Sequence, residues 1–312
     1  MSEEPAGLAA SPVRPELSVV VVTYNSSETI AACLESIGAG GAPAEVVVVD
    51  NASTDGTVAL VAERFPQVQL IANARNEGFA RGVNRGWRET SAPRVLLLNP
   101  DTELRPNASR ALLDCARARP RAALIGPRIL NADGSLQHSC FRFPNLRMAV
   151  TGFFGLLPLD SPANGRYRPE AYEEPHPVEH LLGACLLVRR AAAEQVGPLD
   201  ESFYMYFEET DWCYRMRAAG WENWYTPDAV VVHRGAHSTS REPERMSAEF
   251  YRSQARFYRK HYRPAAYLAL KALSLLGVGY WTARTMRGAL RGRVSRSTVC
   301  RRLVSYWMIV WA

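Results

Sequence analysis

The stretch LSVVVVTYN (residues 17–25) is a continuous run of β-branched and apolar residues that ends in polar ones. Such a run is typical of a strand that is buried on both faces of a parallel sheet. Similar runs occur at residues 44–53, 68–73 and 94–101. Segments with helical spacing of apolar residues separate them, at residues 26–40, 53–65 and 80–90. This alternation predicts βαβ units and an α/β fold built on a mostly parallel sheet flanked by helices.

The second half of the chain has a less regular pattern. Residues 120–130 and 180–190 are predicted strands, whereas residues 140–178 are rich in Pro, Gly and aromatic residues and predict a long variable loop region. A basic amphipathic helix is expected at 251–262, followed by an apolar stretch at 265–283.

The domain organisation follows from these patterns. We expect a flexible leader at residues 1–16, an α/β domain at residues 17–240 and a basic helical region at residues 241–312.

Composition excludes several classes of protein. The chain has 312 residues, of which 47% are hydrophobic and 22% are charged, so it is not a disordered, collagen-like or multi-span membrane protein. Its six cysteines form no C-x-x-C pair, which argues against a zinc ribbon or a disulfide scaffold. The first residues lack the apolar segment of a signal peptide, and this predicts a cytoplasmic location.

Charge is distributed unevenly along the chain. Residues 241–312 carry fifteen basic and three acidic side chains, although the whole chain has a net charge of only +6. A basic tail on an acidic body predicts contact with an anionic partner, such as a membrane surface. The alternative is compositional bias, because Arg outnumbers Lys 35 to 2. No nucleic-acid-binding module is recognisable in the tail, so we expect no nucleic-acid partner.

Polar residues follow the predicted strands at the edge where ligands bind in parallel sheets. Thr23 and Asn25 follow the first strand, and Asp50 ends the second. A carboxylate in this position is either functional or caps the following helix.

The segment NEGFARGVNRG (residues 76–86) places glycines four residues apart. Small residues at this spacing allow a helix to approach a ligand or to pack closely on the sheet, and both readings remain open. On the first reading, the candidates for binding a phosphate-containing ligand are Asn76, Gly78, Arg81 and Asn84.

Two further residues, Asp101 and His233, suggest a metal site. Asn99 and Asp101 follow the strand LLL at residues 96–98, and His233 ends the run AVVVH. Carboxylate oxygens suit a hard divalent cation, and imidazole can complete such a site. A turn-forming Asp after Pro100 is the alternative.

The segment FYMYFEETDWCYR (residues 203–215) crowds three carboxylates among aromatic residues: Glu208, Glu209 and Asp211. Like charges near apolar rings raise carboxyl pKa values, which suits a general base. A solvated helix start is the alternative.

In combination, these motifs resemble the family 2 glycosyltransferases of GT-A fold, most closely the rhamnosyltransferase-like branch. The resemblance covers residues 17–240 and includes the segments VVVVTYN, DNASTDG, NEGFARGVNRG, LLLNPD, GACLLVRR (183–190), GPLDESFYMYFEETDWCYRMRAAGW (197–221) and VVHRGAHST (231–239).

The resemblance implies an inverting, metal-assisted transfer from a nucleotide sugar. Asp50 would bind the nucleoside with Thr23 and Asn25, while Asp101 matches the last Asp of the family's D-x-D element and would hold Mg²⁺ or Mn²⁺. Asn99 stands at the first Asp position of that element and would contact the nucleotide sugar, as would Asn76, Gly78, Arg81 and Asn84. His233 would complete the metal site. Glu209 matches the base position, and Glu208 and Asp211 are alternatives for that role.

The substrates implied are dTDP-rhamnose as donor and a cell-envelope glycan or polyprenyl-diphosphate-linked saccharide as acceptor. A UDP- or GDP-sugar donor, or a non-catalytic nucleotide-sugar-binding scaffold on the same fold, is the alternative.

The basic C-terminal region at residues 241–312 predicts where the protein is located in the cell. The 19-residue apolar stretch at 265–283 contains Lys271 and is marginal for spanning a bilayer. We therefore expect a peripheral protein on the inner face of the cytoplasmic membrane, held through residues 250–312. Packing of these helices on the main domain is the alternative.

Overall fold

A computed structural model of the chain describes residues 15–158, 161–235 and 243–310. Most of the predicted leader, residues 1–14, lies outside the described residues, as does the end of the VVHRGAHST motif.

The described residues form a mixed, mostly parallel sheet with helices on both faces. The strands are β1 (Leu17–Thr23), β2 (Ala44–Asp50), β3 (Gln69–Ala72), β4 (Arg94–Leu98), β5 (Thr102–Leu104), β6 (Ala122–Leu130), β7 (Leu136–Gln137), β8 (Cys140–Phe141), β9 (His176–Val178), β10 (His180–Leu181), β11 (Cys185–Arg189) and β12 (Glu222–His233). The helices are α1 (Ile30–Ala39), α2 (Thr57–Arg64), α3 (Phe79–Arg88), α4 (Ala108–Ala118), α5 (Leu146–Phe153), α6 (Arg190–Val196), α7 (Glu208–Ala218), α8 (Pro243–His261), α9 (Pro264–Leu290) and α10 (Arg296–Val310).

The main sheet has the strand order β3-β2-β1-β4-β11-β6-β12-β5. The first four strands are parallel, and β11 joins β4 in the antiparallel direction. The predicted parallel α/β core is therefore confirmed in β1 to β4, and the sheet becomes mixed where β11 enters.

Burial of β1 on both faces explains its four consecutive valines, Val19 to Val22. Val19 and Val21 pack in one core cluster with α1, α2 and α4, while Val20 and Val22 pack in a second with α3, α6 and α7. All four valines are at most 7% exposed. A strand that has no solvent face carries apolar residues at every position.

The prediction of a long loop in the region before β10 was wrong. Residues 140–178, expected to be a long loop, contain α5 and two short 3₁₀ helices at Pro162–Asn164 and Pro169–Glu173. The side chain of Asn145 caps α5 by accepting a hydrogen bond from Met148 N at 3.0 Å. The helix has only eight residues and is flanked by Pro and Gly, which concealed its periodicity in the sequence.

The C-terminal helices pack on the main domain and on one another. α8 lies against the segment before α7, since Ser253 Oγ donates to Met205 O at 2.8 Å and Tyr258 and Phe257 are buried. α9 lies against α5, where Trp281 Nε1 donates to Phe153 O at 2.8 Å. Among the described helices, none combines the length and the hydropathy needed to cross a membrane.

Candidate active site

The ends of β1 and β2 form the floor of the candidate site. Thr23 and Asp50 are paired in register at these ends. The backbone continues the pairing, with Asn51 N donating to Thr23 O at 2.8 Å and Asn73 N donating to Asp50 O at 2.8 Å. The predicted polar residues therefore lie together at the carboxyl edge of the parallel strands.

The loops that follow β1 and β2 are tied by side-chain hydrogen bonds. Asn25, in the left-handed region at φ 52°, accepts a hydrogen bond from Thr54 N at 2.8 Å through its Oδ1. Asp55 accepts from Ser27 N at 3.0 Å. Burial alone would raise the pKa of Asp55, but hydrogen bonds from Thr57 and Ser27 lower it to about 2. An ionised Asp55 keeps the two loops together at neutral pH.

Two polar groups in this floor are buried. Asp50 is 1% exposed, and its carboxylate accepts a hydrogen bond from Ser53 N at 2.8 Å. Thr23 Oγ1 is also buried and has no hydrogen-bond partner among the described residues. A buried hydroxyl of this kind costs free energy unless a ligand supplies the missing partner.

The glycines of residues 76–86 serve packing. A Cβ at Gly82 would lie 2.6 Å from Val22 Cγ1, and one at Gly86 would lie 2.6 Å from Val20 Cγ1, so both glycines let α3 approach β1. Gly78, at φ +89°, lies against the backbone of Tyr204. Its N–H donates to Asn76 Oδ1 at 3.0 Å. Of the two readings of this segment, the geometry favours close packing.

Asn84 and Arg81 hold the loop before α7. Asn84 Nδ2 donates to Leu199 O at 2.9 Å, and its Oδ1 accepts from Leu199 N at 3.1 Å. Arg81 forms an ion pair with Glu201 at 3.6 Å. The backbone of Leu199 thus occupies both ends of the Asn84 amide, and the ligand-binding role of Asn84 stays a prediction.

The predicted metal ligands Asp101 and His233 are brought together. His233 Nε2 lies 3.3 Å from Asp101 Oδ1, and both side chains are 11% exposed. His233 Nδ1 contacts Gln137 Oε1 at 2.7 Å, which orients the ring so that Nε2 faces the carboxylate. The pairing of β12 with β5 sets this arrangement, since it places His233 opposite Thr102.

The segment before β11 connects this pair to the carboxylates of α7. Ala184 O accepts a hydrogen bond from Asn99 N at 2.9 Å. On the neighbouring residue, a Cβ at Gly183 would lie 3.5 Å from Glu209 Cγ. The loop that carries Asp101 and the side chain of Glu209 therefore contact two consecutive residues, Ala184 and Gly183.

Backbone strain positions Glu208 and Glu209. Tyr206 and Phe207 both adopt left-handed conformations, at φ 65° and φ 67°, immediately before α7. Such conformations are costly for aromatic residues and occur preferentially at functional sites. They turn Glu209 towards a cavity of about 410 Å³, whose lining it shares with Thr210 and Phe207.

The two glutamates differ in electrostatic environment. Burial raises the pKa of Glu209 to about 7, although backbone N–H groups of the first turn of α7 lower it in part. Burial, followed by the charge of Glu209, raises the pKa of Glu208 well above its ordinary value. Neither Oε2 atom has a hydrogen-bond partner among the described residues. The pKa of Glu209 is thus near 7, and the pKa of Glu208 lies well above its ordinary value because of burial and the neighbouring Glu209.

Asp211, the third carboxylate of this cluster, has a different function. It is fully buried, forms ion pairs with Arg215 at 2.8 Å and Lys260 at 2.7 Å, and contacts His261 Nε2 at 2.6 Å. Burial opposes ionisation, but these partners lower the pKa of Asp211. Asp211 therefore joins α7 to α8, and its role as an alternative base stays a prediction.

Sequence reasoning missed His180 and two arginines on the cavity wall, Arg142 and Arg166. Burial lowers the pKa of His180 to about 4, and its Nδ1 has no hydrogen-bond partner among the described residues. A single His before the apolar run LLGACLLV was the available signal for this residue. The arginines gave no signal, since they lie in the segment expected to be a loop.

Comparison with known proteins identifies the family. The model of glycosyl transferase family 2 matches residues 18–197, more than half of the chain. The chain is 37% identical over 251 residues to the N-acetylglucosaminyl-diphospho-decaprenol L-rhamnosyltransferase of Mycobacterium tuberculosis, covering 76% of this chain and 82% of the relative. It is 26% identical to the dTDP-rhamnosyl transferase RfbF of Shigella flexneri over 60% of this chain and 59% of that one.

A solved structure supports the fold. The mannosyltransferase PcManGT from Pyrobaculum calidifontis, in complex with GDP-Man and Mn²⁺, superposes with a TM-score of 0.56 at 19% identity and covers 99% of this chain and 91% of that one. The fold is therefore that of GT-A transferases. With the family match and the relatives above, it follows that the chain belongs to glycosyl transferase family 2, in its rhamnosyltransferase branch, and is a nucleotide-sugar glycosyltransferase.

Proposed function

We propose that the chain transfers a sugar, with inversion, from a nucleotide diphosphate to a hydroxyl of a lipid-linked or cell-envelope glycan. The observation that carries this proposal is the position of Glu209. It lines a cavity, has a pKa near 7, and lies against the segment that also contacts the loop of Asp101.

Glu209 acts as the general base in this proposal. It removes the proton of the acceptor hydroxyl while the hydroxyl oxygen forms a bond to the anomeric carbon. The bond from that carbon to the diphosphate oxygen breaks on the opposite side, and the nucleotide diphosphate leaves with the bonding electrons. A base with a pKa near the working pH combines a useful ionised fraction with sufficient basicity.

The residues at Asp101 fit a divalent cation. Mg²⁺ usually binds to one or two carboxylates and completes its shell with water and substrate phosphates, so few protein ligands are needed. Asp101 and His233 provide two ligand side chains, and the Gln137 contact fixes the imidazole. In the described part of the chain, no group of three or more His, Cys, Asp or Glu side chains is arranged to hold a metal. When bound, Mg²⁺ or Mn²⁺ would offset charge on the leaving diphosphate.

The nucleoside would lie on the floor formed by Thr23, Asn25 and Asp50. Thr23 Oγ1 has no hydrogen-bond partner in the described part of the chain and can bond to a ligand, and the Asp50 carboxylate is held in place by Ser53. We propose dTDP-rhamnose as the donor, because relatives that are 37% and 26% identical are named for rhamnosyl transfer. The name of the 37% identical relative includes N-acetylglucosaminyl-diphospho-decaprenol, and this supports a lipid-linked acceptor here.

A donor panel tests this function. The purified chain with Mn²⁺ should release nucleotide from dTDP-rhamnose faster than from UDP- or GDP-sugars, and release should increase when a lipid-diphosphate saccharide is added. If the chain releases nucleotide from a UDP- or GDP-sugar but not from dTDP-rhamnose, that sugar nucleotide would be assigned as the donor instead. No release from any donor, with binding retained, would leave a non-catalytic nucleotide-sugar-binding protein.

Activity should depend on pH with a defined sign. Because Glu209 must be ionised, we expect kcat to fall about tenfold for each pH unit below a midpoint near 7. A profile for kcat measured from pH 5 to 9 checks this, and a plateau down to pH 5 would contradict the role of Glu209.

The free energy of unfolding should fall as pH rises, whereas kcat should rise. The native state keeps the Glu209 proton up to about pH 7, whereas the unfolded chain loses it near the ordinary value of 4.5. The native state therefore binds more protons than the unfolded state between about pH 4.5 and 7. Because Glu209 ionises first in the unfolded chain, the free energy of unfolding falls as pH rises through this window. Thermal unfolding of the wild type and of Glu209→Gln across this window should show the variant gaining relative stability with rising pH.

The surface of α9 supports attachment to a membrane. Leu268, Leu275, Met286 and Leu290 lie on one face of the helix and are 64%, 53%, 44% and 85% exposed. From residue 250 onwards the sequence contains thirteen basic residues and no acidic one. An exposed apolar face with basic surroundings suits the interface of an anionic bilayer. We propose that the chain is peripheral on the inner face of the cytoplasmic membrane.

Vesicle sedimentation tests this attachment. The full chain should bind vesicles of phosphatidylglycerol but not of phosphatidylcholine, and the double variant Leu275→Glu/Leu290→Glu should lose at least about 90% of the bound fraction, since charges are costly at the apolar interface. Glu35→Gln, on the remote helix α1, is the control. Equal binding by the wild type and the double variant would contradict the role of α9.

A further inference from the structure

The turn before β7 carries polar side chains that the proposed function does not use. Residues 131–135, with the sequence NADGS, join β6 to β7, and Asn131 N closes the turn by donating to Ser135 O at 2.8 Å. β6 pairs with both β7 and β12 over its last two residues. The hairpin of β6 and β7 therefore lies beside the strand that ends in His233.

Four side chains of this hairpin form a chain of hydrogen bonds that ends at His233. Ser135 Oγ donates to Asp133 Oδ1 at 2.6 Å, and Asn131 Nδ2 donates to Ser135 Oγ at 2.9 Å. Gln137 Nε2 donates to Asn131 Oδ1 at 2.8 Å. At the inner end, Gln137 Oε1 lies 2.7 Å from His233 Nδ1. The hydrogen bonds therefore run from an exposed turn to a buried imidazole.

The carboxylate of Asp133 sets the direction of every bond in this chain. Hydrogen bonds from the side chain and the backbone N–H of Ser135 lower the pKa of Asp133, and an ionised carboxylate can only accept. The single proton of the Ser135 hydroxyl thus points to Asp133, so Ser135 Oγ must accept from the amide nitrogen of Asn131. The Asn131 oxygen then accepts from the Gln137 nitrogen, and the Gln137 oxygen faces His233. Because a carbonyl oxygen can only accept, His233 Nδ1 must carry a proton.

The position of this proton decides what the other ring nitrogen can do. A neutral imidazole has one N–H and one nitrogen with a free lone pair. With the proton on Nδ1 of His233, the lone pair is on Nε2, the atom that lies 3.3 Å from Asp101 Oδ1. The other tautomer would direct an N–H at the carboxylate and could not bind a cation through Nε2.

We propose that Gln137 is a positioning residue for the metal site, and that residues 131–137 hold His233 in the tautomer whose Nε2 can bind a divalent cation. This inference rests on the proposed function, of which the cation is a part. Gln137 is not itself a ligand in this proposal and acts only through the imidazole. Loss of such a partner of a histidine ligand usually lowers metal affinity about 10–100-fold.

The tautomer of His233 can be measured by NMR without metal or substrate. The chain has six histidines, so nitrogen-15 labelling of their rings gives few signals, and the signals absent from His233→Gln are those of His233. At about pH 9, where an ordinary imidazole is neutral, we expect the proton on Nδ1 in the wild type. Gln137→Met removes the carbonyl acceptor, and the proton should move to Nε2, where Asp101 can accept it. A wild type with the proton on Nε2, or a Gln137→Met variant that keeps it on Nδ1, would overturn the proposal.

Affinity for Mn²⁺ separates this role from simple packing. In calorimetric titrations with dTDP present, binding of Mn²⁺ should weaken at least about tenfold in Gln137→Met. It should stay within about threefold of the wild type in Gln137→Glu, because a carboxylate can still accept from Nδ1 of His233. If Gln137 only filled space, Met would be tolerated better than Glu, which adds a charge at a half-buried position. That reversed order, or unchanged affinity in Gln137→Met, would contradict the positioning role.

The exposed end of the hairpin tests the direction of the hydrogen bonds. Asp133→Asn introduces an amide that can also donate, so the direction is no longer fixed, and part of the His233 population should move to the tautomer protonated on Nε2. The affinity for Mn²⁺ should fall by up to about fivefold, the effect of about one hydrogen bond. Asp114→Asn is the matched control, since Asp114 is also exposed but lies on α4, where it pairs with Arg117 at 2.6 Å. An unchanged tautomer in Asp133→Asn, or an equal change in Asp114→Asn, would overturn the assignment to Asp133.

The two measurements separate this inference from the proposed function. If the wild type binds no Mn²⁺ in the presence of dTDP, the proposed metal site is contradicted, whereas the NMR result still decides which nitrogen of His233 carries the proton. If the wild type binds Mn²⁺ but Gln137→Met changes neither the tautomer nor the affinity, the metal site stands and the role of Gln137 is overturned.

Discussion

Glu209→Gln should lower turnover by about 10²–10⁴-fold, the usual contribution of general base catalysis. The amide has nearly the shape of the carboxylic acid but cannot accept the proton of the acceptor hydroxyl. Donor binding should change little, because Glu209 lies in the cavity next to Gly183 and not on the floor formed by Thr23 and Asp50. Steady-state kinetics together with donor titration by calorimetry measure both quantities.

Glu208→Gln is the matched control for this variant. Glu208 is 6% exposed, is not part of the cavity lining, and its pKa is raised well above the ordinary range by burial and by Glu209. A neutral amide should therefore substitute for it with less than about a tenfold loss of turnover. Full activity of Glu209→Gln together with an inactive Glu208→Gln would move the base to Glu208.

Asp101→Ala should reduce kcat/KM by about 10³-fold, comparable with the loss of a group that stabilises charge in the transition state. Asp101 is the only carboxylate that contacts His233 Nε2 among the described residues, so its removal leaves one of the two proposed metal ligands. Chelation of the wild type by EDTA should likewise stop transfer, and Mg²⁺ or Mn²⁺ should restore it. Calorimetric titration with Mn²⁺ and nucleotide should show weaker binding to the variant.

Glu103→Gln is the control for Asp101→Ala. Glu103 lies two residues further along and pairs with Arg234 at 2.7 Å, at a position where both side chains are partly exposed. An ion pair of this kind contributes little, so its loss should not affect transfer. Activity that resists EDTA, or equal losses in the two variants, would contradict a metal site at Asp101.

The sequence predicts the parallel half of the fold because local pattern and environment agree there. β1 and β2 are apolar at consecutive positions and are buried on both faces in the structure. β11 was predicted as part of a longer strand at 180–190, but the chain divides at Gly183 into β10 and β11, which belong to different sheets. Which sheet a strand joins depends on distant partners, and local periodicity contains no information about them.

Part of the candidate site could also be predicted from the sequence. Residues at strand ends, such as Asp50 and Asp101, follow from topology, since the carboxyl ends of adjacent parallel strands lie together. Asp211 could not be distinguished from Glu209 by sequence, because its partners Lys260 and His261 are fifty residues away on α8. The wall of the cavity at Glu209 was not predictable for the same reason, because its residues on α5 and α8 come together only in the folded chain.

The central claim is that Asp101 and Glu209 act on the same bound sugar, and it is motivated by the contacts that the loop of Asp101 and the side chain of Glu209 make with Ala184 and Gly183. A crystal structure of the Glu209→Gln variant with Mn²⁺ and intact dTDP-rhamnose tests it most directly, because this variant should bind the donor without consuming it. We predict that the ion contacts Asp101 and His233 and that the sugar lies between the ion and residue 209. A sugar bound away from residue 209, or an ion that does not contact Asp101, would contradict the account.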